Sequence, residues 1–396
     1  MYSLKRLNVD NKSRSNPFSW RGQFTPELID YFLGVHAESE TLVGDPFSGS
    51  GTVLLECARR GLDAIGCEVN PAAYAMSKFF EIGTLPYAEK CGLCENIRWQ
   101  IPLSHAEHNQ PVYQKGIPAN YRLAYDNLTQ FAKRALEINL GSHELIVLLN
   151  ILFKMERCKT LSVVDAWEKS YNEVSAFLLS LPESQSNISA ILCDARSIYE
   201  HGDRKIDLIV TSPPYINVFN YHQNHRIIME LLDFDILAVA HSEFASNRKN
   251  RGNRFLTVIQ YCLDMAQALN SMQKAMSENG TAIMIIGRES NVKKTAFYNG
   301  KIISDLCQET GICDIVHSSE RHFQNKFGAT IYEDILVLKP NVSEDSTDHI
   351  ARSVALAHLN EAITRAPEES QEDLRKAISS VHKVKGSPVY KYRSKG

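Results

Sequence analysis

The chain has 396 residues, is 44% hydrophobic and carries a formal net charge of −3 with a pI near 6.5. That is ample for a large core, and the length fits one domain with an insertion, or two domains. No apolar run reaches the ~18 residues of a membrane span, the balance is not the basic one that often marks nucleic-acid binders, and residues 1–18 have no apolar signal core. Nine cysteines are scattered, mostly within apolar stretches, as at Cys57, Cys67 and Cys193. Such an odd, dispersed set predicts reduced thiols and a cytoplasmic protein.

In chain order, a polar start precedes QFTPELIDYFL, which predicts a helix with Thr25 as N-cap and Pro26 at the first helical position. ETLVGDPFSGSGTVLLECARRG reads as strand, glycine turn and helix, stopped by Gly61. LDAIGCEVNP is a second strand, ending at Glu68, and AAYAMSKFF starts another helix. Strand–helix units are normally joined by a handful of residues, yet about a hundred intervene here, much of them helical in pattern. Residues 81–185 therefore read as an inserted helical subdomain. Strands resume at ISAILCDARS and KIDLIVTSPPY, and a mixed segment with the basic run NRKNRGNR follows. A long helix closed by Gly280, the strand TAIMIIG, a helix over AFYNGKIISDLCQETG and an antiparallel pair come next. The expected catalytic unit is 1–80 with 186–340. Residues 341–396 form a charged extension, read as a helix and a loose tail. The fold class is α/β: a doubly wound, mostly parallel, Rossmann-like sheet with a closing hairpin and a helical insertion, binding its ligand at the carboxyl ends of the strands.

DPFSGSGT (45–52) lies between a strand and a helix. Gly49 and Gly51 permit a tight turn and a close approach by a ligand. Glu68 stands where a carboxylate would take ribose hydroxyls. No Lys follows Gly51, so this is no Walker loop, and it is not G-x-G-x-x-G. Asp45 at the strand end would repel a pyrophosphate but suits a cationic ligand. S-adenosylmethionine has a sulfonium, an ammonium and no phosphate, which tilts the reading from a dinucleotide towards it. Asp194, ending the third strand, is the candidate acceptor for an adenine amino group, with a helix cap as the plainer alternative.

DPFSGSGT and TSPPY (211–215) together resemble the amino-methyltransferases of DNA, which methylate exocyclic amines of cytosine or adenine. The resemblance covers roughly 20–80 and 188–340. It implies a methyltransferase sheet and an S-adenosylmethionine site including Asp45, Phe47, Gly49, Gly51, Thr52, Glu68, Asp194 and Thr211. RGQFTPEL (21–28) is similar to the upstream motif that packs on the cofactor, adding Phe24 and Pro26. Ser212, Pro213, Pro214 and Tyr215 match the catalytic motif in the form most often seen in cytosine-N4 enzymes; adenine-N6 enzymes more often begin it with Asp or Asn. The order, cofactor motif first and a large insert between, is like that of the class with a central target-recognition region, whereas the wording DPFSGSGT is more typical of permuted members.

The chemistry explains why two prolines and an aromatic follow a buried strand. An exocyclic base amine is a poor nucleophile because its lone pair is delocalised into the ring. The Ser212 hydroxyl and the Pro213 carbonyl can hold both amine protons and free that lone pair. The prolines fix the carbonyl, and Tyr215 offers a flat face to a base turned out of the duplex. Carbon-5 methylation needs a cysteine nucleophile carried in that family by Pro-Cys, which does not occur here.

Asn217, Arg226, Arg248, Lys249, Arg251 and Arg254 are candidate contacts to DNA; each is otherwise a local structural or solvated residue. Cys91, Cys94, His105 and His108 have a spacing open to a structural zinc, or are plain thiols and imidazoles in a helical insert. The expected partner is double-stranded DNA, with a cognate restriction endonuclease as a second. The rivals to cytosine-N4 methylation are adenine-N6 methylation, an RNA base-amine methyltransferase and a non-catalytic DNA-binding component.

Overall fold

The computed structural model describes residues 2–9, 12–114, 126–216, 220–244, 250, 252–325, 328–341 and 347–392. A seven-stranded sheet organises them. In chain order its strands are β1 (Val43–Asp45), β2 (Ala64–Glu68), β3 (Ile188–Leu192), β4 (Ile206–Thr211) and β5 (Met276–Gly287). A separate hairpin, β6 (Glu289–Val292) with β7 (Thr295–Tyr298), precedes β8 (Cys313–Gln324) and β9 (Thr330–Pro340). The spatial order is β3-β2-β1-β4-β5-β9-β8. The first five run parallel, and β9 and β8 close the edge antiparallel. This is the expected α/β, doubly wound, mostly parallel sheet with its closing hairpin.

Both faces of the sheet are covered, which is why β4 and β5 read as unbroken apolar runs. Leu208, Val210, Ile283 and Ile285 face one apolar cluster, and Ile209, Met284 and Ile286 face the other. The first cluster continues into the insert through helices Tyr87–Gln100, Asn127–Leu136, Ser142–Met155 and Val163–Ser180. Phe177 of the insert stacks on Phe79 at 6.1 Å and meets Phe18 edge-on at 5.9 Å. The side chain of Asn150 donates to the Ala75 carbonyl at 3.0 Å. The insert and the strand-bearing unit therefore share one core.

Four expectations are corrected. The long helix ends at Ala275, and the chain enters β5 at Met276, before Gly280. Its ladder with β4 passes from Ile206↔Met276 to Leu208↔Thr281, so a bulge takes up the segment read as helix end. The helix expected from Ala296 begins at Asn299 (Asn299–Thr310), because Thr295–Tyr298 pairs with Glu289–Val292. The extension beyond 341 holds two helices, Asp348–Ala362 and Glu368–Ser379, packed in the second cluster with Leu256–Ala275. Its following residues are held too, because buried charges bind their backbone, as described below. Finally, Cys67 and Cys193 are joined as a disulfide rather than standing as thiols. Parallel pairing of Cys67 with Ile191 brings Cys193, just beyond β3, to a Cα separation of 5.4 Å.

Candidate active site

A cleft opens at the carboxyl ends of β1, β2, β3 and β4. Phe24, Phe47, Gly49, Thr52, Glu68, Asp194, Ser212, Pro213, Pro214 and Tyr215 all line it. Two motifs far apart in sequence thus meet because β4 lies beside β1 in the sheet.

The glycine turn is built by conformation. Gly49 and Gly51 have φ of +51° and +79°, in the left-handed region. A Cβ on Gly51 would also stand 2.8 Å from the Ser77 Cα, so helix Pro71–Gly83 packs against bare backbone. The N-terminal segment clasps this turn. Asn16 donates to the Ser50 carbonyl at 2.9 Å, and Gln23 donates to Ser50 Oγ at 2.7 Å. Trp20 lies over Gly49, where a Cβ would meet its ring at 2.9 Å. The upstream motif is thereby fixed beside the turn, with Phe24 on the cleft wall and Pro26 buried behind it in helix Pro26–His36.

Glu68 accepts from the Asn70 amide at 2.7 Å through Oε1 and from the Gly49 amide at 2.8 Å through Oε2. Each oxygen keeps an acceptor position, so the pair suits a vicinal diol. Burial pushes its pKa up to about 7, against the two amide bonds that lower it. Asp45 behaves differently from its sequence reading. It is buried behind the cleft wall, where Oδ1 accepts from Thr211 Oγ1 at 2.6 Å and from the Phe47 amide at 3.1 Å. Burial likewise raises its pKa to about 7. Asp45, Thr211 and Gly51 support the wall and do not line it.

At the catalytic motif, Ser212 Oγ and the Tyr215 hydroxyl lie 3.1 Å apart. The Tyr215 ring rests on Gly287 of β5, where a Cβ would come within 2.7 Å of it. Burial pushes its hydroxyl pKa up, with Glu333 adding to the effect, so it remains a donor at neutral pH.

Asp194 lines the cleft, but its carboxylate is engaged. Oδ1 accepts from the Arg196 amide at 3.0 Å and from Arg196 Nε at 2.8 Å. Oδ2 accepts from Arg196 Nη2 at 2.6 Å and from the Tyr390 amide at 3.2 Å. Here it caps the short helix Ala195–Glu200 and holds an arginine; the role of adenine acceptor is not the one this geometry offers.

Asn217, Arg248, Lys249 and Arg251 lie outside the described residues. Arg226 pairs with Glu230 at 2.5 Å, and neither Arg226 nor Arg254 lines the cleft. Cys91 and Cys94 lie on Tyr87–Gln100, and His105 and His108 on the turn that follows. Among the described residues no group of three or more His, Cys, Asp or Glu could hold a metal ion.

Sequence reasoning missed Trp20 and Glu243, whereas Tyr221, close behind the catalytic motif, was a candidate for the base pocket and does line the cleft. Trp20 and Tyr221 stack at 5.6 Å with 19° between their planes, and both line the cleft. Glu243 lines it as well, carried on the segment after the catalytic motif. An isolated acid in a mixed segment has no pattern to mark it.

Comparisons with known proteins agree with this geometry. Residues 1–79, which hold the glycine turn and Glu68, match the family model N6_N4_Mtase, described as DNA methylase. The Type II methyltransferase M.MjaII of Methanocaldococcus jannaschii is 21% identical, over 72% of this chain and 74% of its own length. These two matches support the amino-methyltransferase family. With it comes a methyltransferase whose cofactor is S-adenosylmethionine, and the paired acceptors of Glu68 beside the open glycine turn fit that cofactor's adenosyl part. Solved structures that align include an rRNA methylase from Streptococcus thermophilus (8% identity, 81% of this chain and 98% of that one, TM-score 0.31). Another is a SAM-dependent methyltransferase from Methanosarcina mazei (9%, 79% and 98%, TM-score 0.33). No helix among the described residues is long and apolar enough to cross a membrane.

Proposed function

We propose that this protein transfers a methyl group from S-adenosylmethionine to the N4 amine of cytosine at a specific site in double-stranded DNA, after the base has left the duplex. The observation that carries the reading is the placement of Ser212-Pro213-Pro214-Tyr215 in one cleft with Glu68 and the glycine turn.

The bound cofactor supplies a methyl group on a sulfonium. Everything else falls to the chain. Glu68 would receive the ribose diol, and the glycine turn would let the backbone approach. With the Tyr215 hydroxyl, 3.1 Å from Ser212 Oγ, as the donor, a serine lone pair is left for one amine proton, while the Pro213 carbonyl takes the other. Fixing both protons shifts the nitrogen towards a tetrahedral, nucleophilic form; as the new N–C bond formed, the methyl's C–S bond would break to leave a neutral thioether, and the nitrogen would release one proton to solvent, with in-line positioning contributing much of the rate. Stacking against Tyr215, with Trp20 and Tyr221 beside it, would hold the flipped base.

DNA would reach this cleft across its rim. Arg21 is exposed there, and Arg157 of the insert donates to the Ser19 carbonyl at 3.2 Å. Two cations from separate segments suit phosphates on either side of a flipped nucleotide. The insert would then read the target sequence. A cytoplasmic protein working with a restriction endonuclease of the same specificity completes the proposal, and the similarity to a Type II methyltransferase supports it.

The test is transfer from methyl-labelled S-adenosylmethionine to mixed-sequence DNA, with RNA in parallel and the product nucleoside identified by mass spectrometry. Label in 4-methylcytosine is the expected result. Label in 6-methyladenine would keep the mechanism and change the base, since Ser212 alone separates the two readings. Label only in RNA, or in neither polymer, would overturn DNA methylation.

A further inference from the structure

The third-strand carboxylate has no capacity left. Four donors, three from Arg196 and one from Tyr390, meet the four acceptor positions of an ionised Asp194. An adenine entering this end of the cleft needs another acceptor for its amino group. An amino hydrogen buried without a partner would weaken binding.

Glu243 meets the requirement. It is 7% exposed and lines the same cleft. Its Oε1 accepts from the His222 amide at 2.5 Å, and its Oε2 pairs with His222 Nδ1 at 2.8 Å. One acceptor position remains on each oxygen. His222 is itself buried, so the carboxylate is held in place.

The neighbours of Glu243 locate it. Its backbone carbonyl accepts from Ser387 Oγ at 3.5 Å, and the Ser387 carbonyl accepts from Arg196 at 2.6 Å. The next residue, Phe244, lies under the Arg196 guanidinium at 5.0 Å and meets Phe47 edge-on at 5.4 Å. Glu243 therefore stands at the Asp194 end of the cleft, beside two rings that suit a flat heterocycle. Its charge also reaches Glu68, where it adds to the effect of burial.

We infer that Glu243 is the acceptor for the adenine amino group of the cofactor in this chain, in the place that the sequence gives to Asp194. The inference rests on the S-adenosylmethionine reading. Its test uses two stable ligands, S-adenosylhomocysteine and its hypoxanthine counterpart S-inosylhomocysteine, in which a carbonyl replaces the amino group. Calorimetric titration of the full chain should give a preference for the adenine form of roughly tenfold to a hundredfold, the range of a hydrogen bond to a charged group.

In Glu243→Gln the His222 amide keeps the side-chain oxygen turned towards it, so the cleft meets an N–H. The preference should collapse to within about threefold or invert, because that N–H suits the hypoxanthine carbonyl. Asp194→Asn should keep the wild-type ratio. A wild type with no preference, a Glu243→Gln protein with the wild-type ratio, or an Asp194→Asn protein that alone loses it would overturn the assignment. So would a folded Glu243→Gln protein that binds neither ligand, since Glu243 would then shape the cleft without reading the ring. A wild type that binds neither would overturn the cofactor reading as well, and that result is distinguishable from the others.

Discussion

Ser212 and Tyr215 are hydrogen-bonded to one another, hydroxyl to hydroxyl at 3.1 Å, at the mouth of β4. Burial keeps the tyrosine protonated, and with it as the donor the serine oxygen still has a lone pair to offer the amine. Ser212→Ala should lower single-turnover methyl transfer by about 10²-fold or more, the usual effect of losing one preorganised polar contact to a reacting group. Affinity for S-adenosylmethionine should hardly change. Tyr215→Phe should be far milder than Tyr215→Ala, which removes the stacking face. Equal loss in the phenylalanine and alanine proteins would show that the hydroxyl, not the ring, dominates.

The Tyr215 ring depends on what it rests upon. Gly287 leaves just enough room, since an added Cβ would fall 2.7 Å from a ring carbon. Gly287→Ala must move the ring or β5, and β5 is held between β4 and β9. The expected outcome is a loss of about 1–3 kcal/mol in stability, typical of overpacking. The catalytic rate should fall while cofactor affinity stays. Denaturant unfolding and rate measurements on one preparation test both; an unchanged rate would mean the ring's position is not critical.

Asp45 makes the apo-protein's stability fall as pH rises. In the folded chain it keeps its proton up to about 7, whereas its ordinary value is 3.8. Between these values the native state binds more protons than the unfolded one, so raising the pH favours unfolding. Glu68, also raised to about 7, acts in the same direction. Asp45→Asn keeps an oxygen for Thr211 and the Phe47 amide and cannot ionise. It should flatten the decline between about pH 4 and 7, and leave the variant more stable than wild type at pH 8. Urea unfolding across that range decides it; parallel curves for the two proteins would contradict the burial argument.

The legible parts of the sequence were those with a local physical signature. Unbroken apolar runs marked β4 and β5, and positive-φ glycines marked the turn that Glu68 closes. What stayed hidden depended on distant partners. The β6–β7 hairpin turns through Lys293 and Lys294, both left-handed at φ 49° and 60°, where the glycine or asparagine that signals such a turn is missing. Asp194 stood at the right strand end, yet its acceptors are taken by Arg196 and by a segment about two hundred residues away. Glu243 is held at the cleft by His222, a partner 21 residues earlier that no local pattern reveals.

That distant segment yields the last expectation. Residues after Gly386 carry no pattern of regular structure, yet Asp264, buried in the long helix, accepts from the Ser387 amide and hydroxyl, each at 2.7 Å. Arg196 donates to the carbonyls of Ser387 and Pro388 at 2.6 and 3.0 Å. Removing Asp264 would leave buried donors on both segments unanswered. Asp264→Ala should therefore cost about 1–3 kcal/mol, the range for leaving a buried donor unsatisfied, since Arg196 keeps its pairing with Asp194. In the wild type the Ser387 and Tyr390 amides should be protected from hydrogen exchange, because both donate to buried carboxylates. In Asp264→Ala the Ser387 amide should lose its protection first. Wild-type exchange at the rate of an unstructured peptide would mean that these carboxylates do not hold the segment in place.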